Sequence, residues 1–305
     1  DSQQRERLRD GGGESQRWFL SYRPQLYAGL QVALQCLANH GALIVPPDNA
    51  DPSELVAFMA EAGAEYLSTT PSYLRRLLTF APAEVLEQTK LKQITLGGEV
   101  IDQQILDAAQ TRFPGARLVH IYATTELGRC FSVTDGQAGF PRQFLERPSP
   151  DGVAMRIEND ELMVSSPNAM SGYDVRGAPT TASHGAWFAT GDLVRIEDDR
   201  VFFAGRRTDI INVGGNKVHP LEVERVVREV DGITDVRVYA KKSSLVGEMV
   251  VCEVVAGTPD TDQLKKNIAA HCAARLTAYQ RPRVIEFVDG IAIAPTGKTV
   301  RRNSS

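Results

Sequence analysis

From Gln25 to Tyr122 the sequence alternates helix-period and strand-like segments about every 20–30 residues, and this rhythm narrows the fold more than any other feature. Apolar residues recur at helical spacing at Leu26, Leu30, Ala33, Leu34 and Leu37, and Gly41 follows as a stop. Residues 42–46 read as a short buried strand. Asp51-Pro52-Ser53 opens a second helix, with proline at a tolerated early position. A strand over 64–67, a helix from Pro71, a strand over 91–96, a helix over 102–113 and a strand over 118–122 complete the series. Such alternation predicts βαβ units and an α/β fold built on a mostly parallel sheet.

The texture changes after Tyr122. Residues 153–157, 161–164, 193–196 and 200–203 are short, turn-separated segments that predict an antiparallel meander or barrel-like region. A third texture starts near Gly205. Pro220 opens a helix carrying Leu221, Val223, Val226, Val227 and Val230. Strands over 236–240 and 249–256, a helix over 262–276 and a strand over 284–288 then make a small α+β unit. The boundary is placed at Thr208–Asp209, in a polar, glycine-flanked turn. The expected organisation is a flexible lead-in over 1–17, the C-terminal portion of a large domain over 18–207, and a small mobile domain over 208–305.

Composition removes several function classes. A chain of 305 residues suits about two domains, and 42% apolar with 24% charged residues excludes global disorder. A net charge of −4 offers no electrostatic footprint for a nucleic-acid partner. No apolar run approaches the ~20 residues that span a bilayer, and the polar N-terminus lacks a signal-peptide core. Cys36, Cys130, Cys252 and Cys272 are too far apart for a CxxC or zinc pattern and read as buried thiols of a reducing, cytoplasmic compartment.

Four segments can carry chemistry. Thr95–Val100 (TLGGEV) ends a strand, where ligands of parallel α/β sheets bind, although a tight turn explains it equally simply. Ile121–Leu127 (IYATTEL) places hydroxyls beside a carboxylate after an aromatic. Hydroxyls bind phosphate oxygens and a carboxylate holds Mg²⁺, yet a solvated threonine loop is the bland alternative. In Phe188–Val226, Asp192 follows Thr190-Gly191 in a setting suited to a ribose diol, and Arg206-Arg207-Thr208-Asp209 precede Gly214-Gly215. Separately these read as a charge cluster and a hairpin; their order and spacing carry the signal. Pro295–Arg302 puts Lys298 on a glycine-hinged loop able to reach a phosphate, against the alternative of a basic tail. No GxSxG elbow and no strand-following GxGxxG is present. Arg75-Arg76 and Lys265-Lys266 read as exposed helix faces, and Trp18 and Trp187 as core or rim aromatics.

Taken in order, GGE at 97–99, YATTE at 122–126, TGD at 190–192, GRRTDIINVGGNKVHPLEVE at 205–224 and TGK at 296–298 resemble the adenylate-forming superfamily, over nearly all of the chain from Trp18 to Arg301. The resemblance implies an ATP-dependent ligase that turns a small carboxylic acid into an acyl-adenylate and passes the acyl group to CoA. It implies that Gly97, Gly98 and Glu99 lie along the adenine and Tyr122 against its face. Thr125 would contact the α-phosphate, Glu126 would bind Mg²⁺, and Asp192 with Arg206 would take the ribose. Thr208 and Asp209 would be the hinge, and Gly214 and Gly215 would line a pantetheine tunnel. Lys298 would bridge carboxylate and α-phosphate, the catalytic role it would share with Thr125 and Glu126.

Three departures accompany the resemblance. Ala123 replaces the usual glycine, Thr208 stands at the hinge position, and residues 1–17 contain no phosphate loop with its lysine. The expectation is therefore a later part of such a ligase. Two alternatives stay open: an adenylation domain that loads the phosphopantetheine of a carrier protein, and a non-catalytic nucleotide- or acyl-binding module.

Overall fold

Arg17–Leu20 forms a strand (β1) at the point where the large-domain portion is expected to begin, and it lies inside the first sheet. The computed structural model describes residues 16–47, 50–173, 180–181, 186–243 and 247–292. β1 pairs in parallel with Ala42–Ile44 (β2) on one side and Tyr66–Thr69 (β3) on the other. Gln93–Leu96 (β4) and Arg117–Thr124 (β5) extend the sheet in parallel, and Gly128–Val133 (β6) closes it antiparallel in the order β2-β1-β3-β4-β5-β6.

The helices between these strands are Tyr27–Ala38 (α1), Pro52–Glu61 (α2), Pro71–Phe80 (α3), the short Ala83–Leu86 (α4) and Gln103–Arg112 (α5). Side-chain caps set three of their starts. Asp51 and Glu54 form a reciprocal capping box on α2, Thr70 accepts the Tyr73 amide on α3, and Asp102 accepts the Ile105 amide on α5. Phe19, Leu67, Leu74, Ile94, Leu96 and Ile105 are buried between sheet and helices, each stabilising the fold by about 1.5–3 kcal/mol relative to exposure. The helical period predicted over α1 is present, but the buried face is Gly29, Val32 and Cys36. Leu30, Leu34 and Leu37 lie on the exposed side, because α1 is apolar around most of its circumference and only one face meets β1.

The second sheet is antiparallel, as the short segments predict. Phe140–Pro141 (β7), Ala154–Glu158 (β8), Glu161–Ser165 (β9), Phe188–Glu197 (β12) and Arg200–Arg206 (β13) run in the order β7-β13-β12-β9-β8, and Gly172–Tyr173 (β10) pairs separately with Thr180–Thr181 (β11). Its core of Leu127, Phe131, Phe140, Leu162, Val164, Val194 and Val201 also packs against Tyr122 from the first sheet.

The small unit has the expected α+β character. Ile211–Val213 (β14), Asn216–Val218 (β15), Ile233–Ser243 (β16), Gly247–Ala256 (β17) and Val284–Phe287 (β18) form one sheet, with Pro220–Arg228 (α6) and Thr261–Arg275 (α7) contributing to a separate core. Charges tie this unit to the first. Arg75 reaches Asp102 at 2.8 Å and Asp235 at 4.0 Å, Arg228 reaches Asp102 at 3.8 Å, and Gln104 Nε2 donates to the Arg228 carbonyl at 3.2 Å. Arg75 is therefore an interface residue with a side chain 15% exposed, not part of a solvated helix face. Burial holds the Asp235 carboxyl above its ordinary range, with Arg228 and Arg75 opposing the shift.

Candidate active site

Tyr122, Asp192 and Arg206 come from three strands and meet in one chain of contacts. The Tyr122 ring lies 5.4 Å from Phe131 and 4.9 Å from Phe203 between centroids, which fixes the ring in place. Its hydroxyl donates to Asp192 Oδ2 at 2.6 Å, and Arg206 Nε lies 3.1 Å from Asp192 Oδ1. Burial, and then the charge of Asp192, push the Tyr122 phenol far above its ordinary pKa, so it stays a donor.

A bulge aims Asp192. The register of β12 against β9 shifts between Ala189 and Leu193, lifting Gly191 out of the ladder at φ +75°. Thr190 Oγ1 donates to the Leu162 carbonyl at 2.7 Å and accepts the Asp192 amide at 3.1 Å. Asp192 is consequently buried at 8% exposure, while Arg206 remains exposed.

The YATTE turn follows the carboxyl end of β5. Thr124 Oγ1 accepts the Leu127 amide at 3.1 Å, and the Glu126 carbonyl accepts the Met170 amide at 2.7 Å. With the turn pinned this way, Thr125 is exposed and Glu126 half-buried. The GGE segment sits at the neighbouring strand end. A side chain at Gly97 would bring its Cβ within 2.8 Å of Ile121 Cγ1, so glycine is required for β4 and β5 to approach there. Gly98 takes φ +84° and turns the chain, and the Glu99 carboxylate accepts the Ser72 amide at 3.0 Å near the start of α3.

Thr208 and Asp209 lie in a single 3₁₀ turn, Arg207–Asp209, where the two large-domain sheets hand over to the small unit. Thr208 Oγ1 donates to Asp209 at 3.3 Å. Gly214 and Gly215, at φ +57° and +88°, form the two-residue turn of the β14–β15 hairpin. The hairpin reading of these glycines is thus realised. Lys298 lies outside the described residues.

A family model described as AMP-binding enzyme matches residues 4–174, more than half of the chain, and one described as AMP-binding enzyme C-terminal domain matches residues 222–298. The chain belongs to the AMP-binding enzyme family. Among curated relatives of this AMP-binding chain, the 2-succinylbenzoate–CoA ligase of Lactococcus lactis is 27% identical over 96% of this chain and 62% of its own length. The 4-coumarate–CoA ligase 1 of Arabidopsis thaliana is 24% identical over 91% of this chain and 52% of its own. The solved benzoate CoA ligase of Burkholderia xenovorans LB400 shares the fold at TM-score 0.78 and 21% identity, over 95% of this chain and 61% of that one. The chain spans about half to three-fifths of the length of these relatives.

In the AMP-binding fold seen here, Tyr122, Asp192 and Arg206 are in direct contact, and GGE and YATTE share adjacent strand ends. Sequence reasoning missed Glu161, whose carboxylate accepts the Gly191 amide at 2.7 Å and pairs with Arg207 at 2.7 Å. His120 is buried two residues before Tyr122 on the same strand. No signal marks Glu161, an ordinary strand glutamate, and the partners of Tyr122 and Arg207 are distant in sequence. Among the described residues no group of three or more His, Cys, Asp or Glu is placed to hold a metal ion, and no helix is long and apolar enough to cross a membrane.

Proposed function

We propose that this chain carries the nucleotide site and small mobile domain of an ATP-dependent acid–thiol ligase acting in the cytoplasm. A carboxylate oxygen attacks the α-phosphorus of ATP, the bond to the bridging oxygen of the β-phosphate breaks, and pyrophosphate leaves. The CoA thiol then attacks the acyl carbon, AMP departs, and the thiol proton passes to solvent.

The observation that carries this reading is the Tyr122–Asp192–Arg206 contact chain, beside a turn that leaves Thr125 exposed. Asp192 takes the ribose hydroxyls with Arg206 balancing its charge, Tyr122 walls the adenine with Glu99 and the two glycines alongside, and Thr125 reaches the α-phosphate. Glu126 would supply one carboxylate to a magnesium ion, an ion that commonly binds through one or two carboxylates beside substrate phosphates. Such an ion offsets the charge developing between two anions. Lys298 supplies a further positive charge between carboxylate and α-phosphate. Thr208 and Asp209 let the small domain turn between the half-reactions, and the Gly214–Gly215 turn leaves room for the thiol arm. The CoA-ligase names of the curated relatives support CoA as acceptor.

Incubating the protein, as encoded by its gene, with ATP, CoA and a panel of aromatic and aliphatic acids tests this. AMP and a free acyl-CoA thioester are expected for at least one acid. An acyl-adenylate that passes only to carrier-protein phosphopantetheine would overturn the CoA assignment, and AMP formation with no acid would overturn the ligase reading.

A further inference from the structure

We infer that Glu161 is a positioning residue for ribose recognition, holding the Thr190–Gly191–Asp192 bulge so that the Asp192 carboxylate faces the nucleotide. The inference rests on the nucleotide-site reading above.

The placement begins in a local turn. Asn159 and Asp160, at φ +50° and +62°, form the two-residue turn between β8 and β9, a turn type these residues tolerate through their short polar side chains. The resulting register sets Glu161 opposite Leu193, directly after the bulge. One carboxylate oxygen of Glu161 accepts the Gly191 amide at 2.7 Å. The other accepts Arg207 Nη2 at 2.7 Å and Nε at 3.1 Å, a forked geometry.

Gly191 has left the strand ladder, so its amide depends on this acceptor, and a peptide held at φ +75° sets the direction of the next side chain, Asp192. The Glu161 side chain is 12% exposed, so its bond to the Gly191 amide is partly shielded from water, whereas Arg207 meets it from the solvent side. Arg207 is the first residue of the turn containing Thr208 and Asp209, so the same carboxylate anchors the chain just before the hinge. Glu161 acts on Asp192 through the backbone, by way of the Gly191 amide.

The test compares AMP with 2′,3′-dideoxyadenosine 5′-monophosphate by calorimetry, using this chain and its Glu161→Asp and Glu161→Gln variants, with circular dichroism as the fold control. The wild-type chain is expected to favour AMP. Glu161→Asp withdraws the acceptor by one methylene and is expected to weaken AMP binding about tenfold, with dideoxy-AMP nearly unchanged. Glu161→Gln keeps an acceptor at full length and is expected to retain most of the preference. A Glu161→Asp variant with the wild-type AMP preference overturns the inference alone, as does equal weakening of both nucleotides. A wild-type chain that binds the two nucleotides equally, or neither, overturns the ribose reading of Asp192 and this inference with it.

Discussion

The Tyr122 hydroxyl and the Asp192 carboxylate, 70 residues apart in sequence, are joined by a 2.6 Å hydrogen bond between the first and second sheets. Phe131 and Phe203 hold the phenol ring, and the β12 bulge holds the carboxylate, so neither partner can drift without disturbing packing. Tyr122→Phe removes only the bond. A charged acceptor makes it worth about 1.5–3 kcal/mol, so the variant should lose up to that much stability in urea and bind AMP several-fold more weakly. Unchanged AMP affinity would separate Tyr122 from the nucleotide site.

His120 shows what burial does to a titratable group on the same strand. It is 7% exposed, and burial pushes its pKa down to about 4, with Asp135 and Arg200 nearby and opposing each other. The folded state therefore releases the proton that the unfolded chain binds below its ordinary pKa of about 6.5. Stability contributed by the neutral imidazole is complete above that value and is lost as pH falls towards 4, by at most about 3 kcal/mol. Urea midpoints measured between these pH values should fall more steeply for the wild type than for His120→Asn. Parallel profiles would show that the residue does not titrate in this window.

In the small domain, Arg237 and Glu253 face each other across β16 and β17 as a buried ion pair with side chains 3% and 5% exposed. Arg237→Met alone strands a buried carboxylate and should cost about 3–5 kcal/mol, whereas Arg237→Met with Glu253→Leu should recover most of that loss. Chemical denaturation of the single and double variants distinguishes these outcomes. A double variant as unstable as the single one would contradict the argument.

The two domains meet through Arg75, Asp102, Arg228 and Asp235. Arg75→Gln removes the charge that bridges the two carboxylates without disturbing the cap that Asp102 provides. Trypsin cleavage at Arg206 and Arg207, beside the interdomain turn, should accelerate about fivefold, matching a loss near 1 kcal/mol. Rising salt should produce the same effect in the wild type. Cleavage rates that ignore both changes would mean that the cluster does not restrain the small domain.

The alternation of periods exposed most of the fold, because helix and strand signals before Tyr122 are local. The strand character of β1 stayed hidden because four residues, Arg17–Leu20, follow a polar, glycine-rich stretch, and only pairing with β2 and β3 makes them a strand. Arg75 was misjudged because its partners, Asp102 and Asp235, lie on elements that meet only in the folded chain. The candidate site was legible as separate motifs at strand ends. Its contacts were not, since Tyr122, Glu161, Asp192 and Arg206 belong to four strands whose register depends on a bulge and a two-residue turn.

The most direct measurement is ATP–pyrophosphate exchange across a panel of carboxylic acids, run with the gene-encoded protein and with Lys298→Ala. At least one acid should stimulate exchange, and the alanine variant should lose about 10²-fold or more of it, the scale expected when a charge that stabilises the transition state is removed. Exchange stimulated by no acid would contradict carboxylate activation, and full exchange in Lys298→Ala would contradict the role given to that lysine.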